Sequence, residues 1–126
     1  MHVMHSLGVD IIEIQRIEKA VARFGKRFLH RVYTDAELRV CANKPSRLAS
    51  RFAAKEAVMK SLGTGTKGVG WRDIEIIHDV KGKLLVSLCG RALNRAKYLG
   101  LGELAISLSD SRDYAVAFVV GETNTK

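Results

Sequence analysis

Glu56 and Lys60 lie within the run RFAAKEAVMKSLGTG, from Arg51 to Gly65. At about 100° of rotation per residue, Leu48, Ala49, Phe52, Ala53, Ala57 and Met59 fall on one half of a helix, the half that faces a core. Glu56 and Lys60 project into that apolar half, whereas Arg47, Ser50, Arg51, Lys55 and Ser61 occupy the other. Charges among apolar neighbours must pair or bind something, because burying one alone costs several kcal/mol or more. Their i, i+4 spacing lets them reach each other, so a plain salt pair closed by a glycine cap at Gly63 is one reading. The other is a ligand site, because Gly63, Thr64, Gly65, Thr66, Lys67 and Gly68 follow, and glycines let backbone N–H groups approach an anion.

Asp10 is the third such residue. It interrupts an apolar run from Ser6 to Ile12 that reads as a buried strand. An aspartate there either caps the helix that follows or ligates a metal. Position alone does not separate the two.

The elements that must place these residues follow from pattern. A helix is expected from about Glu13 to Phe24, with Ile14, Ile17, Ala20, Val21 and Phe24 as its apolar stripe and Arg16, Lys19 and Arg23 on another face. Lys26, Arg27 and Arg31 carry the basic surface into a short second helical segment. Thr34 and Glu37 have capping-box spacing for a helix from Asp35 to about Ala42, and a long helix covers about Arg47 to Leu62. Alternation from Trp71 to His78 predicts a strand, joined by a turn at Asp79 to Lys83 to a second strand from Leu84 to Leu88. A helix from Arg91 to Leu99 ends at Gly100 and Gly102. Strands from Leu104 to Ser109 and Tyr114 to Val120 complete the chain, connected by Asp110 to Asp113. Helices first and an antiparallel sheet later give an α+β fold with a long buried helix.

The 126 residues read as one domain, and an apolar content of 47% with one proline fits a globular chain. Twenty-one basic residues against 13 acidic give a formal charge of +8, which favours anionic partners. Cys41 and Cys89 have no metal-ligand spacing and read as ordinary reduced thiols. His2, His5, His30 and His78 are scattered, read as surface or locally satisfied residues, and give no zinc pattern. The start lacks a signal-peptide pattern, and no apolar run approaches the roughly 18 residues that span a bilayer. The chain is therefore expected to be soluble and cytoplasmic.

Read together, these pieces resemble the small bacterial 4′-phosphopantetheinyl transferases, the holo-acyl-carrier-protein synthases. The resemblance is carried by Gly8-Val9-Asp10-Ile11-Ile12-Glu13, by Arg51-Phe52-Ala53-Ala54-Lys55-Glu56-Ala57 with Lys60 and Gly63-Thr64-Gly65, by Trp71-Arg72-Asp73-Ile74-Glu75-Ile76 and by the closing SLS and YAVAFVV strands. It implies transfer of the phosphopantetheine arm of coenzyme A to a serine of an acyl carrier protein, with release of adenosine 3′,5′-bisphosphate. It also implies Mg²⁺ held at Asp10 and Glu56, an ion that takes carboxylate and phosphate oxygens. Lys60 would stand beside the coenzyme A phosphates, and Arg51, Gly63, Thr64, Gly65, Gly82 and Asp110 fall at its coenzyme A positions. Glu56 or a metal-bound water would be the general base. The resemblance further implies a homotrimer with sites between subunits, and an acidic carrier protein docked on Arg16, Arg23 and Lys26.

Two departures stand out. Asp110 occupies a position where the resemblance leads one to expect histidine, so it would either weaken coenzyme A binding or contribute to the cation site. Leu84 replaces an expected proline after Gly82-Lys83, an effect expected to be small. A binding module with impaired catalysis is the competing reading kept alive by Asp110. A basic RNA-binding domain is supported only by charge, since eight aromatic residues and no clamp motif fit it poorly.

Overall fold

The structure, a computed structural model, describes residues 2–125. Its first strand, β1 (His2–Glu13), runs longer at both ends than the apolar run predicts, because it pairs along its whole length with the last strand, β5 (Tyr114–Thr125). Strand β4 (Ala105–Asp110) pairs with the other edge of β5, giving the antiparallel order β1-β5-β4. Asp110 thus ends a strand and does not begin the loop. Strands β2 (Ile74–His78) and β3 (Leu84–Leu88) form a separate hairpin. Its turn is closed by Asp79, whose Oδ1 accepts from the N–H groups of Lys81 and Lys83.

Between β1 and the hairpin lie four helices: α1 (Ile14–Phe24), α2 (Lys26–Val32), α3 (Asp35–Cys41) and α4 (Pro45–Leu62). A short helix, α5 (Gly90–Leu99), links β3 to β4. The capping box at Thr34 and Glu37 forms as its spacing predicts. Asp10, by contrast, is no helix cap. The α1 N-cap is Glu13, without a side-chain hydrogen bond, and the Ile14 N–H donates to the Asp113 carbonyl.

The core sits between α4 and the inner face of the β1-β5-β4 sheet, where Ala115, Ala117 and Val119 are fully buried. Gly8 is required by this close approach. A Cβ there would overlap the Ala57 carbonyl oxygen, so β1 lies directly against the helix backbone. Because successive strand residues alternate, Gly8, Asp10 and Ile12 share the helix side, and Leu7, Val9 and Ile11 are left exposed on the other.

The two-sided pattern predicted for α4 is corrected here. Ser50, Arg51, Lys55 and Ser61, assigned to the solvent side, are buried, while Lys60 is exposed. The helix is enclosed almost all round, so its apolar arc does not mark a single buried face. Lys55 is the extreme case at 0% exposure. Its Nζ lies 2.6 Å from Glu37 Oε1 and donates to the Trp71 carbonyl at 3.0 Å and to that of Ile74. Glu37 also accepts from the N–H groups of Thr34 and Ile76, so one buried ion pair ties α3, α4 and β2 together.

The strand expected from Trp71 starts at Ile74. Trp71–Asp73 form a turn of 3₁₀ helix because the Asp73 carboxylate turns back to accept the Gly70 N–H at 3.0 Å. Trp71 is thereby directed onto Phe52, with ring centroids 4.7 Å apart, and Phe28 also stacks with Phe52 at 6.2 Å.

Candidate active site

Strand β1 and helix α4 bring Asp10, Glu56 and Lys60 together. Lys60 Nζ donates to Asp10 Oδ1 at 3.0 Å and to the Val9 carbonyl at 2.9 Å. The expected Glu56–Lys60 pair does not form, since Lys60 turns to the strand instead. Glu56 faces Asp10. Burial, and then the Asp10 charge and a hydrogen bond with it, hold the Glu56 carboxyl above the usual carboxylate range, against the lowering effects of Lys60 and Arg16. Asp10 Oδ2 is buried and has no hydrogen-bond partner. Two facing carboxylates with an orphaned oxygen must share a proton or a cation, and a hard divalent ion with an oxygen-ligand preference suits this donor set.

The glycine loop leaves the C-terminal end of α4. Gly63 adopts φ +71° and its N–H donates to the carbonyls of Lys60 and Met59, while the Thr64 N–H donates to Met59. Those two amides close the helix and are not free for an anion. Gly65, at φ +61°, lies in the exposed part of the loop.

Arg51 and Asp110 meet in a second cavity of about 300 Å³, shared with Ser46, Arg47, Ser50, His78, Leu84, Leu108 and Ser109. Asp110 therefore lines the arginine cavity rather than the Asp10–Glu56 pair, and among the described residues no cluster of three possible metal ligands occurs. Gly82 lies next door, in a cavity that also includes Leu84 and Leu108. Arg51 is 5% exposed, yet its Nε has no hydrogen-bond partner. Its Nη2 donates to His78 Nδ1 at 3.3 Å.

Arg16 and Arg23 lie on α1, and Lys26 opens α2, all exposed. Beside them, Phe24, Phe28, Val32, Phe52 and Trp71 line an apolar groove of about 420 Å³ rimmed by Arg27 and Arg31. Pattern reading found the three charges around β1 and α4, and it missed His78 and the Glu37–Lys55 pair. Neither had a local signal: His78 ends an ordinary strand, and Lys55 and Glu37 belong to different helices.

Comparison with known proteins identifies the family. Residues 6–119 match the 4′-phosphopantetheinyl transferase superfamily. The holo-[acyl-carrier-protein] synthase of Herpetosiphon aurantiacus is 50% identical over 121 residues, covering 90% of this chain and 95% of that protein. The crystal structure of the Helicobacter pylori holo-[acyl-carrier-protein] synthase in complex with coenzyme A superposes with a TM-score of 0.83 at 36% identity, covering 91% of this chain and 98% of that one. That from Neisseria meningitidis gives 0.81 at 40% identity, covering 92% and 96%. With its α+β fold and a family match over residues 6–119, the chain belongs to the 4′-phosphopantetheinyl transferase superfamily, among the holo-[acyl-carrier-protein] synthases.

Proposed function

We propose that the chain, acting as one domain, transfers 4′-phosphopantetheine from coenzyme A to a serine hydroxyl of an apo acyl carrier protein and releases adenosine 3′,5′-bisphosphate. The observation that carries this reading is the pairing of Asp10 with Glu56 beside Lys60, with an orphaned carboxylate oxygen in their midst. A divalent cation fits these residues, and Mg²⁺ held by Asp10 and Glu56 would supply neutralising charge to the pyrophosphate oxygens. Lys60, fixed by Asp10 and the Val9 carbonyl, binds a phosphate oxygen and opposes the charge that grows on the leaving group. The serine oxygen forms a bond to the phosphorus of the pantetheine phosphate as the bridging P–O bond to the nucleotide breaks. The serine proton goes to Glu56 or to water at that carboxylate.

Arg51 stands nine residues before Lys60 on α4, which is about 14 Å along the axis and about 180° around it. The two side chains of one copy thus leave α4 on opposite sides. This favours a site shared between copies, as in a homotrimer, and the exposed sheet face with Leu7, Val9, Ile11 and Phe118 offers the surface for assembly. The acidic carrier protein would meet Arg16, Arg23 and Lys26, whose charges raise the encounter rate at low salt, and the arginine-rimmed groove accepts an apolar side chain of that partner. The cytoplasm is the proposed place of this reaction; no described helix is long and apolar enough to cross a membrane.

The test is the intact mass of an apo acyl carrier protein incubated with the chain, coenzyme A and Mg²⁺. A gain of one phosphopantetheine, lost with EDTA and with Glu56→Ala, is the expected result. Binding of coenzyme A without any gain in mass would leave an impaired binding module instead.

A further inference from the structure

Arg51 is a buried cation without a counter-ion. Among the described residues, none of the ion pairs includes it, and its Nε–H is orphaned. A guanidinium in that position calls for an anion, because its desolvation is otherwise unreturned. The cavity in front of it offers Arg47 and His78 as further polar groups, with Asp110 as an opposing carboxylate. Asp79, the residue after His78, is occupied by the turn it closes.

His78 is not a passive wall. Arginine can only donate, so Nδ1 of His78 accepts from Arg51 Nη2, and the ring proton of the neutral imidazole lies on Nε2. Two consequences follow. The bond fixes one arm of the guanidinium and leaves the others for a ligand, and it turns His78 into a donor of defined tautomer beside that guanidinium.

We propose that His78 is a substrate-binding residue of this chain, which orients Arg51 and donates a hydrogen bond from Nε2 to a phosphate group of the nucleotide, offsetting the repulsion from Asp110. This rests on the coenzyme A reading above. His78 lies at an exposed strand end, so its replacement leaves the core intact. Its role is in ground-state binding, which predicts an altered KM at unchanged kcat.

The experiment compares wild type, His78→Ala and His78→Gln in the transfer assay, and titrates each full-length protein calorimetrically with adenosine 3′,5′-bisphosphate and with inorganic pyrophosphate. Gln keeps an acceptor for Arg51 and an N–H donor. His78→Ala is expected to raise KM for coenzyme A and weaken bisphosphate binding about tenfold, the scale of a lost hydrogen bond to a charged group. His78→Gln stays within about threefold of wild type, and kcat holds in both. An unchanged KM in His78→Ala, or an equal loss in both variants, would overturn the proposal. Absence of transfer by wild type would instead overturn the functional reading, while pyrophosphate binding would still report on His78.

Discussion

Lys60 donates to Asp10 across fifty residues of sequence, at 3.0 Å, and not to Glu56 one helical turn away. The ammonium is thereby anchored to the strand and leaves Glu56 facing Asp10. Lys60→Ala removes a phosphate-binding charge from a side chain that is half exposed, so its effect falls on chemistry more than on folding. We expect kcat to drop about 100- to 1,000-fold, the scale of losing one preorganised donor, with the melting temperature nearly unchanged. A drop in kcat matched by a collapse in melting temperature would show that Lys60 holds the fold instead.

The Asp10–Glu56 pair trades stability for function. Glu56 has its pKa raised by burial and by Asp10, so the folded state holds its proton more tightly than the unfolded chain does. The sign follows from linkage: stability contributed by this group falls as pH rises from the ordinary glutamate value through the raised one. Glu56→Gln removes that penalty. At pH 7 without divalent ions it should melt above wild type, while wild type alone gains stability on adding Mg²⁺. A Mg²⁺-induced rise in melting temperature that survives Glu56→Gln would remove Glu56 from the cation site.

These two residues were legible because a charge in an apolar run has no bland place to go, and the run itself fixed the strand and the helix. Lys55 was not legible for a related reason. Helical periodicity assigns faces only when one side meets water, and α4 is enclosed by α1, α3, β1, β2 and β5. Its partner, Glu37, carried a complete local explanation as a capping residue, so nothing pointed to a second role. Trp71 misled in a similar way: its alternation with Asp73 and Glu75 mimics a strand, and only the turn-back of the Asp73 carboxylate onto the Gly70 N–H delays the start of the strand to Ile74. His78 needed the hairpin to be folded against α4 before it could be seen beside Arg51.

The Glu37–Lys55 pair gives a test of that enclosed network. Burial pushes the Lys55 ammonium toward its neutral form, and the Glu37 charge and hydrogen bond oppose that shift. Lys55→Ala leaves the Glu37 carboxylate at 0% exposure without its cation, a change that costs about 3–5 kcal/mol in comparable buried pairs. The double variant Lys55→Met, Glu37→Gln removes both charges and should recover part of that loss in urea unfolding. Additive losses would mean that the two side chains do not act as a pair.

The outer face of the sheet separates assembly from folding. Val9 and Ile11 are 52% and 62% exposed, and they stand opposite Phe118 and Val116 on β5, so together they form a contiguous apolar strip. Asp10 lies between them in sequence but points to α4, because a strand alternates its side chains. A charge at Val9 therefore reaches the strip without touching the core. Val9→Asp should fold with a near-native melting transition yet run as a monomer by light scattering where wild type, on the homotrimer proposed above, should run as a trimer, because an uncompensated carboxylate cannot be buried against apolar neighbours. On the shared-site proposal its transferase activity should fall with assembly, because Arg51 and Lys60 stand about 180° apart around α4. A Val9→Asp monomer with full activity would place the whole site within one chain, and a fully active wild-type monomer at assay concentration would do the same.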